Sequence, residues 1–350
     1  MITGNKGEWS EIYVLFRLLS ENRLYCADEN LNKSKIYFPI IKIIREEQKG
    51  DKFEYFSGKK IKIFENGILK FSLDSEEFIY QADSLFCDIL KGKNSFSIPK
   101  TEYFMNQIFC FKLKAPSSDK SDIKIQIYDI KTGYSPICGF SIKSELGNKP
   151  TLINPSAATN FTYKIENINK YKKNEINSIC TKNKIIDRMG HINRNDISFY
   201  SLKNKIFKDN LLLIDSQMPE IIGNILLRHY QTNIKSCREL IDLIENEDPL
   251  KIKRKNFYFF KFKKLLCASA LGLLPSKPWN GKDDANGGYI IVKSDGNVVA
   301  FHIYNRDAFE DYLLNNTVFE KPSTSRYKYA EIYEENSAFF INLNLQIRFK

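Results

Sequence analysis

The sequence predicts an α/β protein, a β-sheet flanked by helices, and three observations carry that reading. Ile123, Ile125 and Ile127 alternate with Lys124, Gln126 and Tyr128, the period of a strand with one buried face. Residues 139–144 alternate again, with Phe140 and Ile142 on one face and Ser141 and Lys143 on the other. Near the start, residues 8–19 place Trp9, Ile12, Tyr13, Phe16 and Leu19 at helical spacing, an amphipathic helix with an apolar inner stripe.

The remaining elements follow from the same periods. Short strands are expected over 36–44 and 53–73, divided by Lys49-Gly50-Asp51 and by the hairpin dipeptide Asn66-Gly67. Residues 76–93 predict a helix ending near Gly92, and 103–114 a helix or strand before a loop at Pro116-Ser117-Ser118. The stretch 151–159 is too rich in Asn, Pro, Ser and Ala for a core element and predicts a structured loop. A strand of the central sheet is expected over 161–165, then a lysine-rich helix within 168–195. Asp215-Ser216 should cap a helix over 221–231, with Pro219 in its first turn. Another helix covers 236–245. Residues 251–264 read either as a phosphate-contacting helix or as a core element with a basic flank. A loop over 275–288, a hairpin around 294–297, a helix over 306–315 and a closing strand over 339–349 complete the chain.

Composition bounds the function. Fifty-three Lys and Arg against 42 Asp and Glu give a net charge of +11, which favours a polyanionic partner such as duplex DNA. Seven widely spaced cysteines, with no C-x-x-C pair, read as reduced thiols of a cytoplasmic protein. Three scattered histidines do not suggest a zinc site. Glu8 and Glu11 interrupt any apolar leader, and no apolar run approaches a membrane span, so no membrane partner is expected.

The two central strands form a hairpin that is expected to bring Asp129, at the end of the first, close to Ser141 and Lys143 on the second. A carboxylate, a hydroxyl and an ammonium on one sheet surface suit metal-dependent phosphodiester hydrolysis. The acid holds a hard cation through oxygen, and the lysine stabilises developing negative charge. The plain alternative is a pair of solvated surface charges.

The words around the pair carry more. Gly139-Phe140-Ser141-Ile142-Lys143-Ser144-Glu145-Leu146-Gly147, Thr151-Leu152-Ile153-Asn154-Pro155-Ser156 and Thr159-Asn160-Phe161 resemble runs of the HpaII family of type II restriction endonucleases. Gly4 to Glu11, Asp215 to Pro219 and Leu343 to Phe349 resemble that family's opening, later and closing words. The resemblance implies a mixed-sheet, restriction-endonuclease-like PD-(D/E)XK core with additional C-terminal helices and a hairpin. The whole of 1–350 is then a single endonuclease domain, with a catalytic hairpin at about 123–145 and a DNA-contacting region at about 205–350.

It further implies Mg2+-dependent cleavage of double-stranded DNA at a short site, CCGG if specificity is shared. A homodimer on palindromic DNA and a cognate DNA methyltransferase are the implied partners. Ser141 stands where the general nuclease pattern has Asp or Glu, so a second acid is needed from elsewhere. Glu11 in the first helix is preferred as catalytic and metal residue beside Asp129, with Glu8 as substitute, Lys143 near the attacking water and Ser141 as its hydrogen-bonding partner. Residue type nominates Asn154, Ser156, Thr159, Asn160, Arg188, Lys277, Asn280 and Arg326 for DNA contacts, Arg326 as the guanine reader. Rival readings are a structure-specific repair nuclease of the same fold and a DNA-binding protein with a decayed active site.

Overall fold

The computed structural model describes residues 1–28, 31–48, 51–114, 121–302 and 306–350. The expected turn at Lys49-Gly50 and the loop at Pro116-Ser117-Ser118 lie outside the described residues. The chain divides into two compact units, Met1–Pro150 with Asp283–Phe309, and Thr151–Lys282 with Glu310–Lys350.

The first unit opens with helix α1 (Lys6–Glu21), which starts where it does because Asn5 caps it. The Asn5 side chain accepts the Glu8 N–H at 3.1 Å, and the Glu8 carboxylate accepts the Asn5 N–H at 2.9 Å. This reciprocal capping box satisfies two otherwise unpaired donors. Trp9, Ile12, Phe16 and Leu19 are fully buried below it, each burial stabilising the fold by ~1.5–3 kcal/mol. Asn22 ends the helix at φ 53°, its N–H donating to Leu18.

Strands β1 (Arg23–Ala27), β2 (Lys33–Gln48), β3 (Asp51–Phe56), β4 (Lys60–Glu65) and β5 (Ile68–Asp74) follow. Asn66 and Gly67, with φ of 48° and 85°, make the tight turn between β4 and β5 that their dipeptide predicts. Helix α2 (Ser75–Lys91) packs on α1 through Tyr13–Phe86 and Phe16–Phe78, and α3 (Pro99–Gln107) adds Phe104 edge-on to Phe16 at 5.3 Å. Strands β6 (Ile123–Ile127) and β7 (Ile137–Ser144) form the hairpin expected from their alternation.

The second unit contributes β8 (Thr151–Ile153), β9 (Asn160–Ile165), α4 (Lys170–Asn177), α5 (Lys184–Gly190), β10 (Ile197–Leu202), α6 (Lys205–Ile214), α7 (Met218–Thr232), α8 (Cys237–Glu247) and α9 (Phe257–Leu271). The chain then returns to the first unit with β11 (Gly288–Val292) and β12 (Val298–His302). Helix α10 (Arg306–Asn315), β13 (Thr317–Phe319), α11 (Thr324–Tyr327), β14 (Ile332–Glu335), β15 (Ala338–Asn344) and β16 (Ile347–Phe349) complete it.

Among the described residues the first unit holds one nine-stranded sheet, ordered β1-β12-β11-β7-β6-β2-β3-β4-β5. It is mixed: β7 pairs β11 in parallel, and β1 pairs β12 in parallel, while β6, β2, β3, β4 and β5 are antiparallel neighbours. The β6–β7 hairpin therefore sits in the middle of the sheet, and β11 and β12 beside it are buried at every position. In the second unit the described strands form a sheet β10-β9-β15-β14 and a sheet β13-β16-β8.

Several expectations need correcting. Residues 161–165 do form a strand, but β9 pairs β10 and β15 in the second unit's own sheet; alternation specifies a strand, not its partner. The stretch 151–159 supplies β8 and a 3-10 turn, since Thr151-Leu152-Ile153 is itself a β-branched, apolar run. Residues 168–195 break into two helices, and the closing strand divides into β15 and β16, which belong to different sheets. Asp215-Ser216 does not cap α7: Gln217 holds the cap position, and Asp215, two residues before it, accepts the Gln217 N–H while pairing with Lys261.

Candidate active site

The hairpin register decides which acid meets the lysine. Ile123 pairs Phe140, Lys124 pairs Gly139, Ile125 pairs Cys138 and Gln126 pairs Ile137. The next pair outward sets Asp122 opposite Ser141, and directly opposed residues of antiparallel strands point to the same face. The Asp122 N–H donates to the Phe140 carbonyl at 2.8 Å. Asp122 Oδ2 accepts the Ser141 hydroxyl at 3.0 Å and the Ile142 N–H at 2.6 Å. Two donors on one oxygen fix the carboxylate against β7.

Lys143 completes the line. Its Nζ donates to Ser141 Oγ at 2.7 Å and lies 3.3 Å from the Ile142 carbonyl. The ammonium also stands 5.1 Å from the centre of the Tyr289 ring, on the parallel neighbour β11. Burial pulls the Lys143 pKa below the usual lysine range, and the charges of Asp122 and Glu11 oppose that pull. So the ammonium, the serine hydroxyl and the Asp122 carboxylate form one continuous hydrogen-bonded chain, with the Glu11 carboxylate acting on the same lysine. The Ser10 hydroxyl, buried on α1, donates to Ser144 Oγ at 2.8 Å and ties the helix bearing Glu11 to the strand bearing Lys143.

Asp129 is not the acid of this chain, contrary to expectation. It lies at the turn end of the hairpin, seven residues from Asp122, about 23 Å along an extended strand. Its Oδ1 accepts the Lys131 N–H at 2.9 Å and its Oδ2 accepts the Thr132 hydroxyl at 2.6 Å. The Thr132 bond above all holds its pKa below the usual carboxylate value, despite burial. Asp129 builds a turn. Glu8, the substitute metal residue, is likewise occupied: one oxygen closes the α1 capping box and the other pairs with Lys114 at 2.8 Å, which keeps its pKa low. Glu11, three residues on, is the glutamate whose charge acts on Lys143, as it also does on Lys114.

Asp122 went unrecognised in the sequence, and a signal for it was present. In an antiparallel hairpin, residues far beyond the turn pair with residues far before it. Lys143 follows the Thr132-Gly133 turn by ten residues, so its acid had to precede β6 rather than end it.

The proposed DNA contacts divide cleanly. Asn154, Lys277, Asn280 and Arg326 are exposed. Ser156, Thr159 and Asn160 are instead absorbed by a network around buried Asn344, whose Nδ2 donates to the Ser156 carbonyl at 2.8 Å and to Asn160 Oδ1 at 2.7 Å. Thr159 is fully buried and donates to the Ser156 carbonyl at 3.0 Å. Arg188 is also buried, donating to the carbonyls of Ala330 at 2.7 Å, Asn177 at 2.6 Å and Ile179 at 3.3 Å. A guanidinium with three carbonyl acceptors staples the fold and is not free to reach a phosphate. Among the described residues no group of three His, Cys, Asp or Glu side chains is poised to hold a metal unaided.

Comparison with known proteins gives the family of the chain. The family model of the HpaII restriction endonuclease matches residues 5–349. The type II restriction enzyme HpaII of Haemophilus parainfluenzae is 39% identical over 355 aligned positions, covering 99% of this chain and 98% of that protein. No solved structure matches. The chain belongs to the HpaII restriction endonuclease family, and by that membership it is a type II site-specific deoxyribonuclease.

Proposed function

We propose that this enzyme cleaves double-stranded DNA at CCGG in a Mg2+-dependent reaction, with Asp122, Glu11, Ser141 and Lys143 as its catalytic group. The observation that carries the reading is the Lys143–Ser141–Asp122 hydrogen-bonded chain, with the charge of Glu11 acting on the same lysine. The topology supports a PD-(D/E)XK core, since an acid before one antiparallel strand meets a lysine on the next, followed by a parallel neighbour. Both units belong, on this reading, to one endonuclease, with the exposed Asn154, Lys277, Asn280 and Arg326 as the remaining candidates for DNA contact. Specificity for CCGG rests on likeness to a relative that shares 39% of its residues.

The residues present fit a hard divalent cation. Asp122 and Glu11 offer carboxylate oxygens, and the Ile142 carbonyl and Ser141 hydroxyl add neutral ones, an all-oxygen set suited to Mg2+. When bound, Mg2+ neutralises charge on the scissile phosphate and acidifies a water. Ser141 passes the pull of the Asp122 carboxylate to the Lys143 ammonium and fixes where that ammonium points. Lys143, held in a site dry enough to lower its pKa, stabilises charge that develops on the phosphate oxygens. A palindromic target calls for two such sites, hence a homodimer, and a cognate methyltransferase to protect the host's own copies.

The test is digestion of a sequenced plasmid with Mg2+ and with EDTA, followed by mapping of the ends. Discrete fragments that all terminate within CCGG, absent in EDTA, are expected. Smeared products, or ends at other sequences, would overturn the specificity.

A further inference from the structure

The segment between α8 and α9 is bent in a way its sequence does not favour. Asp248, Lys251, Lys253 and Asn256 have φ of 41°, 54°, 58° and 59°. Left-handed backbone is common for asparagine and aspartate, whose short side chains bond the local backbone, but uncommon for lysine.

A set of bonds holds the bend. Asp248 Oδ1 accepts the Ile252 N–H at 2.9 Å and the Tyr258 hydroxyl at 2.8 Å, and its Oδ2 accepts the Lys253 N–H at 2.8 Å. The buried Tyr258 oxygen accepts the Leu250 N–H at 2.9 Å, while the Glu245 carboxylate accepts the N–H groups of Phe257 and Tyr258. Both acids are thereby turned onto backbone. Lys251, Lys253, Arg254 and Lys255 are left exposed, and none forms an ion pair among the described residues.

The contrast with the adjoining helix is informative. Lys261, Lys263 and Lys264 of α9 belong to the same basic run, yet pair with Asp215, Asp311 and Glu310. The helix lysines are held in ion pairs inside the unit, and among the described residues the loop cations are not, Lys253 acting on Asp248 only at longer range.

We propose that the 251–255 loop is a preformed clamp for the phosphate backbone of duplex DNA, contributing affinity without reading bases. Five residues span at most ~17 Å, and duplex DNA offers one negative charge per about 1.7 Å of axis, so cations this dense meet several phosphates at once. The proposal rests on the nuclease reading above and adds a surface to it.

The test is fluorescence anisotropy of a CCGG duplex and a scrambled duplex, in EDTA, across a potassium chloride series. Each phosphate contact contributes about 0.9 to the slope of log Kd against log salt. Replacing Lys251, Lys253, Arg254 and Lys255 together by alanine should flatten that slope by ~2–4 and weaken both duplexes equally. Arginine at 251, 253 and 255 should keep the wild-type slope. A wild-type slope in the alanine variant overturns the proposal. Where that variant does not fold, Arg254→Gln and Lys255→Gln, at positions of ordinary φ, should each flatten the slope by about 0.9; no change in either overturns it. Wild-type protein that leaves plasmid uncut in Mg2+ would refute the nuclease reading, and the salt slopes would still judge the loop.

Discussion

Lys143 carries its charge in a place that resists it. Burial favours the neutral amine, and Asp122 and Glu11 supply the opposing field. Removing either acid should therefore lower the Lys143 pKa further and weaken catalysis. For Glu11→Gln the expected loss is ~10²–10³ in cleavage rate, with the melting midpoint unchanged or raised. Glu8→Ala should do the reverse, because that side chain closes a capping box and pairs with Lys114. A loss of ~0.5–2 kcal/mol in stability by denaturant titration is expected, with cleavage near wild type. Cleavage lost in Glu8→Ala and kept in Glu11→Gln would invert the assignment. The two glutamates share a helix face in sequence, and spacing alone left both open. What separates them is the presence of Asn5 three residues before Glu8, a cap that the sequence displays.

At the scale of elements, the alternation of 123–128 and 139–144 gave both strands and the buried face of the first, whereas the second is buried on both faces, Ser141 included. Alternation did not give the register across the intervening turn, and the register decides whether Asp122 or Asp129 meets Ser141. Residue type misled in a similar way in the second unit. Arg188 and Asn160 have DNA-reading chemistry, but a buried carbonyl is an equally good acceptor, and sequence does not say which acceptor is near. Arg188→Ala leaves three carbonyls short of a donor and should cost ~2–4 kcal/mol in unfolding free energy. The affinity of the folded fraction for duplex DNA should stay near wild type; a selective loss of affinity with intact stability would restore Arg188 to the DNA-contacting set.

At the scale of the whole molecule, the mixed sheet came only from the family resemblance, whereas the α/β class was legible because strand and helix periods are written locally. The division into two units was not, since β9 and β15 pair across a sequence distance no periodicity reports. Each unit also buries a histidine whose pKa burial depresses to about 4, His302 in the first and His229 in the second. Between pH 6.5 and 4 the unfolded chain binds protons at these positions that the folded chain refuses. Stability is therefore full above about pH 6.5 and falls as pH drops through that window, by on the order of 3 kcal/mol per histidine. Thermal midpoints across that range should show the decline, and His229→Phe should flatten it; a flat profile in the wild type would contradict the burial of both rings. The central claim is narrower and can be met head on by comparing Asp122→Asn with Asp129→Asn in single-turnover cleavage of a CCGG duplex. Asp122→Asn should cut at least ~10³-fold more slowly, while Asp129→Asn should cut within about threefold of wild type and melt at a lower temperature. Unimpaired cutting by Asp122→Asn, with loss of cutting in a folded Asp129→Asn, would contradict the account.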